Sequence, residues 1–310
     1  MSTAFIFPGQ GSQSVGMMNS LAEADKVIQE TFNEASSVLD YDLWELVCEG
    51  PAEKLNATEF TQPAMLTAGV ASWRAWLSAG GAAPTMMAGH SLGEYTALVC
   101  AGSLNFADAV SLVADRARFM QQAVPEGEGA MAAILGLDDD AVRDLCEQNA
   151  GSDVLQAVNY NAPGQVVVAG SAAAVKRLVD NAKAAGAKRA LVLPVSVPSH
   201  CALMLPASER MAERLQQVAI TQGEIPVIHN VNVQQAADED EMRQLLARQI
   251  AEPVRWVETI NSMHDNGIQQ LLECGPGKVL CGLSKRINRE MDCIPLISKE
   301  SIEMAMEGGQ

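Results

Sequence analysis

The sequence predicts an α/β fold with a mostly parallel sheet and a smaller ferredoxin-like unit inserted into it. Three observations predict it. Short apolar runs closed by glycine or proline alternate with stretches of helical periodicity. The middle of the chain changes rhythm to β-α-β-β-α-β. The stretch "AGHSLGEYTA", residues 88–97, sets a glycine-flanked serine between a predicted strand and a predicted helix.

Taken in order, "AFIF" is a short buried strand that ends in the loop Pro8-Gly9-Gln10-Gly11. Helical periodicity follows over 20–39 and again from Gln62 to Ala79. "PTMMAG" reads as a strand, and "LGEYTALVCAG", small and apolar on nearly every face, as a buried helix closed by Gly102. From 126 to 197 come strand "AMAAILGL", helix "DDDAVRDLCEQN", strands "VLQAVNY" and "QVVVAG" joined by "NAPG", helix "SAAAVKRLVDNAKAAG" and closing strand "RALVLPVSV". Alternation then resumes with "IPVIHNV", helices within 240–266, "GIQQLLEC" and a last helix after "GPGKV". The expected division is a catalytic core of 1–125 and 198–310 with a subdomain of 126–197.

At 310 residues, 48% hydrophobic and 19% charged, the chain is a folded globular protein. A net charge of −17 excludes a nucleic-acid binder, because phosphate contacts need a basic surface. No apolar run nears the ~20 residues of a membrane span, and "MSTAFIFPGQ" lacks the features of a secretory signal. Seven cysteines, odd in number and never C-x-x-C, argue against a disulfide framework or a structural zinc site. A reduced, cytoplasmic enzyme without a metal is the expectation, and we expect a monomer.

Ser91 with Glu94 three residues on fits a capping box; Gly89-x-Ser91-x-Gly93 between strand and helix fits a nucleophile elbow. A serine nucleophile needs a base. Of the four histidines, His90 neighbours the serine, but its side chain is expected on the opposite side. His229, in "PVIHN", suits a satisfied core position, and His264 the surface. His200 ends "VSVPSH" at a predicted strand tip, where a sheet presents its site, and is the candidate base. No carboxylate stands at a suitable strand end to orient it, so a backbone or amide carbonyl is an alternative. Arg116 lies at the edge of the apolar stripe of "FADAVSLVADRARFM". An inward guanidinium needs either an internal ion pair or an acidic ligand. "PGQGSQ" is an incomplete dinucleotide fingerprint and suits a loop that lends an N–H to an oxyanion hole beside the N–H of Leu92. "GPGKVL" fails as a P-loop.

Together "FIFPGQGSQ", "AGHSLGEYTALVCAG", "GAMAAILGL", "VPSHCALM" and "ECGPGKVL" resemble the malonyl-CoA:acyl carrier protein transacylases of bacterial type II fatty acid synthesis. The resemblance implies an α/β-hydrolase-like core with the inserted ferredoxin-like subdomain. It implies Ser91 as acylated nucleophile, His200 as base, and the backbone N–H groups of Gln10 and Leu92 as oxyanion hole. Arg116 would hold the malonyl carboxylate, and the main-chain carbonyl of Gln249 would hold His200. The implied substrates are malonyl-CoA and acyl carrier protein, with no permanently bound cofactor and a coenzyme A thioester as substrate. A polyketide acyltransferase, a serine hydrolase and a non-catalytic carrier-binding module are the rival classes. An acidic carrier approaching an acidic enzyme needs local positive charge. Lys188-Arg189 and Lys285-Arg286 are the candidate docking pairs, against ordinary solvated charges as the alternative.

Overall fold

Nine strands organise the computed structural model, which describes residues 2–195 and 197–308. They are β1 (Thr3–Phe7), β2 (Met86–Gly89), β3 (Gly129–Leu135), β4 (Leu155–Ala162), β5 (Gln165–Ser171), β6 (Arg189–Val192), β7 (Val227–Ile228), β8 (Gln270–Glu273) and β9 (Asp292–Pro295). Five form an all-parallel sheet in the order β7-β2-β1-β8-β9. The other four form an antiparallel sheet in the order β4-β5-β3-β6, covered by helices Asp139–Ala150 and Ala172–Ala182.

The run "AFIF" is apolar on both faces because the parallel sheet is covered on both. Phe5 and Phe7 face one layer, where Trp73 and Trp76 of helix Thr58–Ser78 meet the Phe5 ring edge-on at 5.1 and 5.5 Å. Ala4 and Ile6 face the other, formed by Trp256, Ile260 and Met263 of helix Trp256–Asp265 and by Leu280 and Leu283 of helix Val279–Ile287. Phe7 pairs with Gly89, so the loop after β1 and the turn after β2 emerge side by side at the carboxyl edge. That edge is where an open α/β sheet presents its site.

Several elements differ from the sequence reading. The helix over 20–39 is two helices, Asn19–Ala24 and Val27–Ser36, because Asp25 Oδ1 takes the N–H of Val27 at 2.9 Å and breaks the run. The helix expected from Gln62 begins at Thr58 and carries Pro63 inside it. The closing strand of the subdomain stops at Val192, so His200 stands beyond it in a turn and not at a strand tip; Ser196 lies outside the described residues. Past "GPGKV" there is more than one helix, since β9 and helix Lys299–Gly308 follow. The cysteine reading is corrected too. Cys281 and Cys293 form a disulfide, brought together because the helix holding Cys281 packs beside edge strand β9. Among the described residues, no helix is long and apolar enough to cross a membrane.

Candidate active site

The turn after β2 is set by contact between two glycines. A Cβ on Gly89 would lie 1.8 Å from the carbonyl carbon of Gly93, and one on Gly93 would lie 2.1 Å from the oxygen of Phe7. Only glycines let strand and helix approach this closely. Between them Ser91 adopts φ 51°, the left-handed region that L-residues enter at an energetic penalty. Asn230, fully buried just beyond β7, holds it there. Its Oδ1 accepts the Ser91 N–H at 2.7 Å, its Nδ2 donates to the Gly89 carbonyl at 2.7 Å, and its own N–H donates to Glu94 Oε2 at 2.9 Å.

Glu94 therefore does not form the capping box. Its carboxylate turns inward, with Oε1 2.7 Å from His229 Nδ1. That contact leaves His229 a buried structural residue, as its apolar setting suggested. The turn is an elbow that carries Ser91 Oγ to the edge of the sheet.

Ser91 Oγ lies 2.8 Å from His200 Nε2, and His200 Nδ1 donates to the main-chain carbonyl of Gln249 at 2.7 Å. A carbonyl can only accept, so Nδ1 carries the proton and Nε2 is left to accept one from the serine. Gln249 caps the C-terminus of helix Glu239–Arg248, where carbonyls lack intrahelical partners. Burial, reinforced by the nearby Arg116 charge, pushes the His200 pKa down to about 3.

The guanidinium of Arg116, on helix Phe106–Ala123, is 2% exposed. Its Nη1 donates to Gln62 Oε1 at 2.7 Å, and its Nη2 donates to Gln249 Oε1 at 2.9 Å and to Ser91 Oγ at 3.3 Å. All three acceptors are neutral, and among the described residues no carboxylate pairs with it. The internal ion pair left open by the sequence is thus not formed. Burial lowers the Arg116 pKa from the usual arginine value, opposed by Tyr95 and Glu94.

The cleft above Ser91 lies between the two sheets. Gln10, His90, Leu92 and Met120 wall it on the parallel side; Met131, Asn159, Leu193 and Val195 wall it on the antiparallel side. Gln10 accepts the Thr58 hydroxyl at its side chain, at 2.8 Å. The backbone N–H groups of Gln10 and Leu92 have no acceptor among the described residues. His90 was expected to point away, but its ring lines the cleft, with Nε2 2.8 Å from Asn161 Oδ1 and its face tilted on Trp256. His264 is at the surface, near Asp265 and Glu290.

None of Lys188, Arg189, Lys285 or Arg286 lines the cleft. Lys188 immediately precedes β6 with its stem against Gly136, and Arg189 and Lys285 are exposed. Arg286 is engaged by Gln165 and by the Pro163 carbonyl on the turn between β4 and β5.

Sequence reasoning missed Gln62, Asn230, Asn161 and the side chain of Gln249. Each is an amide in an apolar stretch, and "TQPAM" and "IHNV" did hold such a signal.

Known proteins with this arrangement are readily matched. The acyl transferase domain family matches residues 4–295. The malonyl CoA-acyl carrier protein transacylase of Escherichia coli strain K12 is 53% identical over 304 residues, covering 98% of both chains. The chain belongs to this transacylase family. The Bacillus subtilis strain 168 relative is 43% identical over 98% of this chain and 96% of its own length. The solved transacylase of Coxiella burnetii has a TM-score of 0.98 at 50% identity, covering 99% of this chain and 97% of that one. A malonyl-transacylase solved in complex with a type II PKS acyl-carrier protein also has a TM-score of 0.98 at 50% identity, covering 99% and 100%. The match runs through both sheets, so the family includes the antiparallel unit as well as the parallel core.

Proposed function

We propose that this chain moves malonyl groups from malonyl-CoA to the phosphopantetheine thiol of acyl carrier protein, in two half-reactions joined by a malonyl ester on Ser91. The observation that carries this reading is the Arg116 guanidinium, buried beside the nucleophile with only neutral partners. A buried cation without an anion is costly, and the free carboxylate of malonyl is the anion it lacks.

In the first half-reaction Ser91 Oγ attacks the thioester carbonyl while His200 Nε2 takes its proton. The N–H groups of Gln10 and Leu92 receive the developing oxyanion. His200, held by the Gln249 carbonyl, returns the proton to the leaving coenzyme A sulfur. In the second half-reaction the carrier thiol gives its proton to His200 and attacks the ester carbonyl. The Ser91 ester bond breaks and His200 returns that proton to Ser91 Oγ, leaving the malonyl group on the carrier sulfur. No resident cofactor takes part, because the coenzyme A thioester is itself the substrate.

The parallel sheet and Ser91 elbow support an α/β-hydrolase-like core over 1–125 and 198–310. The antiparallel order β4-β5-β3-β6 supports a ferredoxin-like subdomain over 126–197. We assign carrier docking to the basic residues Lys188, Arg189, Lys285 and Arg286 and place the enzyme in the cytoplasm as a monomer. A second reading of the acceptor is a polyketide carrier, favoured by the likeness to the transacylase solved with such a carrier. The test is intact-protein mass after brief exposure to malonyl-CoA, followed by discharge to each type of carrier. One malonyl on Ser91 that leaves to carrier thiol supports the reading; no adduct overturns it.

A further inference from the structure

Away from the catalytic cleft, three reactive side chains meet at the edge of the parallel sheet. Cys281, in the first turn of helix Val279–Ile287, is bonded to Cys293 of edge strand β9. The carboxylate of Glu273, at the end of β8, lies within 4.8 Å of both sulfurs. We propose that Cys281, Cys293 and Glu273 form a reversible thiol–disulfide exchange site for low-molecular-weight thiols such as glutathione.

Access favours this pair over the rest. Cys293, the sulfur open to attack, is half-buried, whereas Cys100, Cys146, Cys201 and Cys274 are buried. Burial also raises the thiol pKa of those four, so little thiolate forms there. Cys48 is half-buried but has no partner cysteine among the described residues.

The surroundings differentiate the two sulfurs. Cys281 stands in the first turn of a helix, where the helix dipole favours a thiolate. Glu273 receives the N–H groups of Leu280 and Cys281 at 3.0 and 2.7 Å, so it is fixed against that same turn. Burial raises the Glu273 pKa to about 7, which leaves it able to give or take a proton near neutrality.

These features order the steps. A small thiolate attacks Cys293 Sγ, the Sγ–Sγ bond breaks, and Cys281 leaves as the better-stabilised thiolate. Protonated Glu273 gives that thiolate its proton and recovers it from solvent. A second small thiolate attacks the mixed disulfide on Cys293, and the Cys293 thiolate is protonated. Two small thiols have become one small disulfide, and the protein disulfide has taken up two electrons and two protons. Oxidation by the small disulfide runs the same steps backwards.

The site also touches the rest of the molecule. Helix Val279–Ile287 carries Arg286, which grips the turn between β4 and β5. The loop between β8 and that helix packs Gly275 against Pro8, next to Gln10. The helix and loop that carry the site thus contact both the β4–β5 turn and the loop after β1.

The test requires no transacylation. Native protein is incubated with oxidised or reduced glutathione, quenched with acid, unfolded and alkylated, and its mass is read. We expect two fewer alkyl groups after oxidised glutathione than after reduced, with one cross-linked peptide pair containing Cys281 and Cys293. Cys293→Ser abolishes that difference. An equal count after both treatments overturns the proposal, whether the pair stays bonded or never forms. Glu273→Gln should flatten the pH dependence of the native reduction rate around pH 7. An unchanged profile removes Glu273 from the site.

Discussion

Arg116 Nη2 stands 3.3 Å from Ser91 Oγ while holding Gln249 Oε1 at 2.9 Å. Gln249 in turn donates from Nε2 to the Ser91 carbonyl at 2.9 Å and accepts from His200 at its own backbone. One glutamine thus fixes Ser91, His200 and Arg116 relative to one another. The same arrangement places a full positive charge beside the reacting oxygen, where it favours an alkoxide and disfavours an imidazolium.

Brief exposure to malonyl-CoA without acceptor should leave one malonyl group, mapped to Ser91 by peptide mass. Ser91→Ala should lose it entirely. His200→Ala should slow acylation by about 10²–10⁴-fold, the usual contribution of a positioned general base. Labelling that persists on Ser91→Ala would move the nucleophile elsewhere.

Arg116→Ala should reduce the preference for malonyl-CoA over acetyl-CoA by about ten- to a hundredfold. A charge-assisted bond to a carboxylate is worth roughly 1.5–3 kcal/mol, and ~1.4 kcal/mol is one decade. Arg116→Lys should recover only part of it, since an ammonium cannot form the two parallel bonds. A malonyl/acetyl ratio unchanged in Arg116→Ala would restrict the arginine to holding Gln62 and Gln249.

The acid limb of the reaction should be unusually far from neutrality. His200 must be neutral to act as base, and its pKa is lowered from 6.5 to about 3. The acylation rate should therefore stay flat from pH 8 down to about 5. Stability carries the opposite face of this shift. The unfolded chain binds a proton at His200 below about pH 6.5 and the folded one does not. Folding stability falls as pH drops from that value towards 3, by up to ~1.4 kcal/mol per pH unit. Denaturant unfolding of wild type and His200→Gln at pH 7 and 5 reads it: the variant should lose part of the slope.

Which parts of this site the sequence disclosed follows from how local each signal is. Gly89, Ser91 and Gly93 are legible because elbow, strand and helix lie within a dozen consecutive residues. Arg116 is legible because its position on a helical stripe can be counted, although its neutral partners cannot. Asn230 and Gln249 act across 139 and 158 residues of chain, and a single amide has no periodicity to betray it. The Cys281–Cys293 pair escaped for a related reason: the odd cysteine count averages one bonded pair with five free thiols. Strand β9 is short and its residues are half-buried or exposed, so its pattern is weak.

Asn230→Ala should lower both stability and acylation rate. The substitution leaves the Ser91 N–H and the Gly89 carbonyl buried without their partners, at about 1–3 kcal/mol each. It also frees the left-handed Ser91 backbone from the group that holds it. Unfolding free energy should fall by roughly 2–6 kcal/mol, and acylation should slow even at temperatures where the variant is folded. A variant as stable as wild type would show that the contact between Gly89 and Gly93 suffices to hold the turn.

Carrier recognition should depend on a few local charges, because the chain's net charge of −17 opposes any acidic partner at long range. Lys188 and Arg189 lead into β6, whose continuation supplies Leu193 and Val195 to the cleft wall. Lys285 is exposed on helix Val279–Ile287, but Arg286 is already engaged by Gln165 and the Pro163 carbonyl. Reversing Arg286 would therefore disturb a contact between the two sheets as well as a surface charge. The informative variants are Lys188→Glu with Arg189→Glu, and Lys285→Glu alone. Each should raise the KM for an acidic carrier protein, the double variant by about three- to tenfold, since exposed charges contribute up to ~1 kcal/mol. The salt dependence of that KM should flatten, because rim charges act mainly on encounter. Ser91 acylation by malonyl-CoA should change less, although coenzyme A is itself anionic. If carrier kinetics at low salt are unaltered in both variants, the docking surface lies elsewhere on the rim of the cleft.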